Sequence, residues 1–320
     1  MHEAPTTPPL PRPRGVLSAA VTDALLCRSA PPGITTACPG DPYGEDLQLA
    51  LYTAYELHYR GFRGVDPGWE WDTGLLSLRA SLEDRFLTAL RRNVPAPGPL
   101  ADVLAELLVQ PVDPDGVSQF LARRGTLENL REYARQRSLY HLKEADPHAW
   151  VLPRLSGRAK AGMAAVEFDE FGGGRADRVH ARLFADLMSD LGLNTGYGYY
   201  LDHGYAEMLA LVNAMSLFGL HRSLRGALVG HFAAVEITSS PASRHLARAM
   251  ARTGAGPAAQ HFYDEHVEAD AVHEQVVRND VIGGLLDDEP ELEPDIAFGI
   301  AATSFLEDRL GRRFLAGWGV

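Results

Sequence analysis

The chain has 320 residues, 46% hydrophobic and 22% charged, with a formal net charge of -12 and a pI near 5.4. That is apolar material for one large domain or two small ones, and an acidic chain without a Lys/Arg run excludes nucleic acid as a partner, since phosphate binding needs a basic face. No apolar run reaches the ~18 residues of a membrane span, the start lacks a signal-peptide core, and two cysteines are too few for a disulfide scaffold, so a soluble, cytoplasmic protein is expected.

Residues 1–43 carry Pro8-Pro-Leu-Pro-Arg-Pro13, Ala30-Pro-Pro-Gly33 and Cys38-Pro-Gly-Asp-Pro42. Proline at that density disfavours helices and sheet interiors alike and predicts a flexible or irregular arm, which holds both Cys27 and Cys38. From about Glu45 the apolar residues take three- and four-residue spacing, first Leu47, Ala50, Leu51, Ala54 and Tyr55, later Leu100, Val103, Leu104, Leu107 and Leu108. Gly125-Thr126, Gly192-Leu-Asn-Thr-Gly196, Ser239-Ser-Pro241 and Gly254-Ala-Gly-Pro257 separate the periodic segments. The expected fold is all-α, with roughly ten helices in one domain over 44–320 and no internal repeat.

Groups able to hold a metal occur at several points along these helices. Tyr140-His-Leu-Lys-Glu-Ala-Asp-Pro-His148 is dense in donors around a proline. Glu144 is its candidate ligand, against a reading as a solvated carboxylate, and Asp146 and His148 are expected to bond the turn. Met163-Ala-Ala-Val-Glu-Phe-Asp-Glu170 runs into Gly172-Gly-Gly174, and His180 follows Glu170 by ten residues. On an unbroken helix that offset leaves the pair roughly 80° out of phase, and Asp177 would share Glu170's face instead. A break or bulge at the glycines brings His180 closer, while a plain interhelix turn is the competing reading.

Asn194 to Tyr200, Asp202 and Asn213 place polar groups in aromatic, apolar surroundings, as in a small-molecule pocket, with core or cap roles as the alternative. Glu236 follows Phe232, Ala233, Ala234 and Val235, where a lone carboxylate is costly to bury. Metal ligation would offset that cost, as would pairing near the helix end. His266, Asp270 and His273 stand at offsets of four and three, within a helical sector of roughly 60°. Two imidazoles and a carboxylate suit Fe(II), Mn(II) or Zn(II) better than Ca or Mg. A solvated polar face fits the triplet equally well. His-Glu-x-x-His, Gly-x-Ser-x-Gly and Walker-type motifs are absent, and so is the Glu-x-x-His of ferritin-type bundles.

Taken jointly, Lys143 to Trp150, Glu170-Phe-Gly-Gly-Gly174, His180, Glu236-Ile-Thr-Ser-Ser240 and Glu265 to His273 span about 130 residues. In these the chain resembles the heme-oxygenase-like di-iron oxidases, also called iron-containing redox enzymes. The resemblance implies a heme-oxygenase-like helical bundle with two Fe(II) ions among three core helices. Glu170, His180, Glu236, His266, Asp270 and His273 fall at the family's ligand positions, and Glu144 at an additional carboxylate of members that oxygenate nitrogen. In some members the first Glu and His sit closer together than Glu170 and His180 do. The implied chemistry uses O2 as co-substrate through a peroxo-di-iron(III) species, with an external electron donor. It is expected to oxygenate the nitrogen of a small amine or amino-acid-type metabolite, in a biosynthetic setting. Desaturation or carbon-carbon cleavage of an amino or fatty acid, and a non-catalytic metal-binding helical protein, are the alternatives. The expected partner is the small-molecule substrate, with a reductase and a second copy of the chain as candidates.

Overall fold

The computed structural model of the chain describes residues 7–27, 40–109 and 116–320, excluding the side chains of 268–271. Its regular structure is helical, and no strand occurs among the described residues. The helices are α1 (Val16–Cys27), α2 (Glu45–Glu56), α3 (Thr73–Asn93), α4 (Leu100–Leu108), α5 (Val117–Arg123), α6 (Leu127–His141) and α7 (Asp146–Ala149). They continue as α8 (Gly157–Glu170), α9 (His180–Asp190), α10 (Ala206–Leu220), α11 (Arg225–Thr253), α12 (Pro257–Val276), α13 (Gly283–Asp288) and α14 (Glu293–Gly317). The starts of α2 at Glu45 and α4 at Leu100 follow the three- and four-residue spacing of the sequence. None of the described helices is long and apolar enough to cross a membrane.

Two sequence expectations need correction. The segment 1–43 is not irregular throughout, because the proline-free run Val16–Cys27 forms α1 and buries Leu17, Val21, Ala24 and Leu25. Asp46 caps it, accepting from the Leu17 and Ser18 amides at 2.9 and 2.7 Å, which satisfies donors that a helix start leaves free. Cys38 lies outside the described residues. Ser239-Ser-Pro241 does not separate two helices, since Pro241 sits inside α11. A proline there removes one backbone donor, and nearby hydroxyls bond the same turns. Thr238 Oγ1 donates to the Ala234 carbonyl at 2.7 Å and Ser239 Oγ to that of Glu236 at 3.4 Å.

The long helix α11 runs through the centre of the molecule, with α12 on one side and α14 on another. Its first half is almost wholly buried, from Ala227 to Ala234. It crosses α14 at two glycines: a Cβ added to Gly230 would run into the Ile296 carbonyl, and one on Gly299 into that of Ala227. Backbone meets backbone there, so no side chain can give way. Gly230→Ala should destabilise the fold by about 3 kcal/mol, the upper end of ordinary overpacking, read as a lower urea midpoint with unchanged slope. An unaltered midpoint would mean that the crossing is looser than this packing.

Beyond α12 the helix continues through a π-helical turn, Val277–Ile282, packed on α8. There Gly162 leaves room for Asp280 and Val281. Helices α8, α11 and α12 thus meet, each presenting a buried polar face.

Candidate metal centre

The inward face of α8 is Ala159, Met163, Val166, Glu167 and Glu170, spaced to line one side of the helix. After Glu170 the chain turns sharply through Gly172, Gly173 and Gly174, with φ of 78°, 60° and 80°. Three successive left-handed residues are accessible at little cost to glycine alone. This turn resolves the ten-residue offset, because α9 starts afresh at His180 and returns its Nδ1 to 2.7 Å from Glu170 Oε2. The two atoms are close but not aligned for a hydrogen bond, so the imidazole nitrogen has no hydrogen-bond partner. Asp177 stays exposed in the loop beside Arg175.

Glu144 stands in the short link between α6 and α7, with 7% of its surface exposed, so it is not a solvated carboxylate. His141 Nδ1 donates to its Oε2 at 2.9 Å, and Phe184 and Phe262 cover the His141 ring. From α12, His266 donates Nδ1–H to the Phe262 carbonyl at 2.7 Å. The carbonyl can only accept, which fixes the tautomer and leaves Nε2 as a bare lone pair, buried and without a partner. Burial, reinforced by the neighbouring His180, pushes His266 down to about 3, so it stays neutral and ready to coordinate. Donor atoms of Glu144, Glu170, His180 and His266 all lie within 4.8 Å of one another.

A second group shares Glu170. Donor atoms of Glu170, Glu236 and His273 also lie within 4.8 Å of one another. His273 Nδ1 is 3.1 Å from Glu236 Oε2 and 3.7 Å from Glu170 Oε1, while its Nε2 is 3.3 Å from Asp169 Oδ2. Burial lowers His273, but the hydrogen bond and charge of Glu236, with Glu170 and Asp169, outweigh it and raise it to about 9. The Glu170 carboxyl is driven well above its ordinary value by burial first, then by the charges of Glu236 and Glu144. Asp270 lies on α12 between His266 and His273, and its side chain is outside the described residues.

These donors fit a borderline divalent cation. Neutral imidazole and carboxylate are the preferred ligand types, His266 Nε2 lacks any other partner, and positive charge would relieve the crowding of Glu144, Glu170 and Glu236. Asp169 would then hold His273 Nε2–H while Nδ1 coordinates, the usual orienting contact of a ligand histidine.

The same shifts fix a pH dependence. His273 ordinarily titrates at 6.5 and here near 9, so its contribution to metal-free stability is complete below 6.5 and lost as pH rises through 9. Glu167, pushed up to about 9 by burial and then by Glu170 and Glu236, works in the same sense, because its ionisation above 4.5 disfavours the fold. Metal-free protein should therefore melt at a lower temperature at pH 9 than at pH 6.5. Metal binding, which expels the His273 proton, should tighten over the same interval. A melting temperature that rises between these two values would contradict the assignment of His273.

The sequence missed four polar side chains here: His141, Glu167, Asp169 and Tyr140. His141 precedes Glu144 by three residues and Glu167 precedes Glu170 by three, so helical spacing from a chosen ligand would have found both. Burial, then the charges of Glu144, Glu170 and Glu236, push the Tyr140 phenol well above its ordinary value. The expected pocket residues have other roles. Tyr197 donates to the Glu56 carboxylate, Asn213 Nδ2 to Gln48, and Asp202 accepts from Arg12. His148 does not bond the turn through its Nε2, which is buried without a partner, and its ring packs against His231 and Phe232.

A family model described as iron-containing redox enzyme matches residues 131–308, more than half of the chain and every donor from Glu144 to His273. None of the curated proteins is significantly similar to the chain.

Proposed function

This chain belongs to the iron-containing redox enzyme family, and on that premise we propose an O2-activating oxidoreductase with two non-heme irons, which oxygenates the nitrogen of a small amine or amino-acid-type metabolite. One observation carries the reading: Glu170 is common to both donor groups, with Oε2 toward His180 and Oε1 toward His273. One iron would be held by Glu144, Glu170, His180 and His266, the other by Glu170, Glu236 and His273, with Asp270 added from the sequence. When bound, an Fe(II) pair supplies the electron-transfer chemistry of O2 reduction that side chains lack. One oxygen atom goes to the amine, turning N–H into N–OH. The other leaves as water, taking two electrons and two protons from an external reductant.

The protein's part is to hold these groups and exclude water. His141 orients Glu144 through Nδ1–H, under the cover of Phe184 and Phe262. Glu144 is the carboxylate that favours nitrogen as the target, being the additional one of nitrogen-oxygenating members.

Protein loaded anaerobically should take up two Fe(II) per chain and consume O2 on mixing. With a small amine and 18O2 it should give a labelled N–OH product. Glu144→Ala should lower that product at least about tenfold, the loss expected on removing an oriented ligand. Unchanged product would refute the role of Glu144. An alkene or a cleaved carbon chain with no N–O bond would favour desaturation or carbon-carbon cleavage. Iron binding without O2 uptake would leave a metal-binding protein.

A further inference from the structure

Glu167 is not used by the two donor groups, yet it lies one helical turn before Glu170 on the same face of α8. It is 2% exposed, and neither carboxylate oxygen has a hydrogen-bond partner. Other buried glutamates stand against a cationic or imidazole group: Glu144 against His141, Glu170 against His180 and His273, Glu236 against His273, and Glu56 against Lys143. Among the described residues it is the only glutamate with both oxygens buried and bare. An unpaired buried carboxylate is among the costlier features a fold can retain, and each such group calls for an explanation. The charges felt at Glu167 are those of Glu170, Glu236, Asp146 and Glu144, all acidic, so the position favours a cation. Its oxygens are not among the donor atoms that lie within 4.8 Å of one another in either group.

We propose that Glu167 anchors the substrate: its two bare oxygens accept N–H donors from a protonated nitrogen, so the substrate is an amine that carries a second, cationic nitrogen. The charged nitrogen binds at Glu167, one turn of α8 from Glu170, and the other is presented uncharged to the centre. This rests on the reading of the site as an amine-oxygenating centre, and it narrows the substrate to diamine-like molecules. It also accounts for an acidic group kept dry without a partner in the free protein, since the partner arrives with the ligand.

The test titrates 1,5-diaminopentane and pentylamine calorimetrically into anaerobic Fe(II)-loaded protein, with iron counted in the same samples. Wild type should bind the diamine at least about tenfold more tightly than the monoamine, the worth of a charge-assisted hydrogen bond. Glu167→Gln should keep two irons and bind both amines alike. Glu167→Leu, which removes the unpartnered buried polar group altogether, should melt no lower than wild type and show no preference. Equal binding by wild type, binding of neither amine, or a preference that survives in Glu167→Gln overturns the proposal. Loss of one iron in Glu167→Gln also overturns it, by making the residue a ligand. Failure of wild type to load two irons would instead count against the metal reading, and the diamine preference is still measured on that protein.

Discussion

Glu170→Ala should empty both metal positions at once, whereas His266→Ala and Glu236→Ala should each leave one occupied. The asymmetry follows from geometry: His266 belongs to the first donor group, Glu236 to the second, and Glu170 to both. Losing metal-based charge stabilisation removes several kcal/mol from catalysis, so O2 consumption by Glu170→Ala should fall by about 10³-fold or more. The metal-free variant should be no less stable than wild type. Glu170 is buried beside Glu144 and Glu236, and its absence relieves the repulsion that drives its carboxyl upward. A collapse in stability would therefore mean that Glu170 acts as scaffold. Iron counting together with thermal melts on the three variants decides the matter, and one tightly held iron in Glu170→Ala would show that the carboxylate is not shared.

What the sequence disclosed here, and what it concealed, follows from the range of each signal. The start of α2 and the run of α4 were legible because apolar spacing is a local property, carried by Leu47 to Tyr55 and by Leu100 to Leu108. Helix α1 was hidden by counting prolines on either side of a proline-free run. Pro241 was misread because α11 runs on through it, packed along α12, and packing of that kind is not a local property of the sequence. The donor types at Glu170 and His180 were visible, but their approach depends on three glycines in left-handed conformations, and composition does not reveal conformation. Tyr197 and Asn213 suggested a pocket because polar groups in apolar helices stand out. Their partners, Glu56 and Gln48, lie 141 and 165 residues away, and a single sequence carries no record of such pairings.

Lys143, adjacent to Glu144, should be the most costly single charge to remove. It is 1% exposed and its Nζ donates to Glu56 Oε2 at 2.5 Å. Glu56 is itself fully buried and also accepts from the Tyr197 hydroxyl at 2.9 and 3.0 Å. The ammonium lies 4.6 Å from the Tyr52 ring centroid and 4.3 Å from that of Tyr59, so aromatic faces shield what the carboxylate does not. Lys143→Met keeps the bulk of the stem but strands Glu56 as an uncompensated charge, which should cost about 3–5 kcal/mol in a urea titration. Adding Glu56→Gln should restore much of that loss, since a neutral amide can still bond Tyr197 and a buried pair replaced on both sides is often nearly neutral. If the double variant is no more stable than Lys143→Met, stem packing rather than the ion pair dominates. The pair also joins the end of α2 to the residue preceding Glu144, so the folded double variant should hold its first-group metal more weakly than wild type. Unaltered metal affinity there would mean that His141 alone fixes the Glu144 carboxylate.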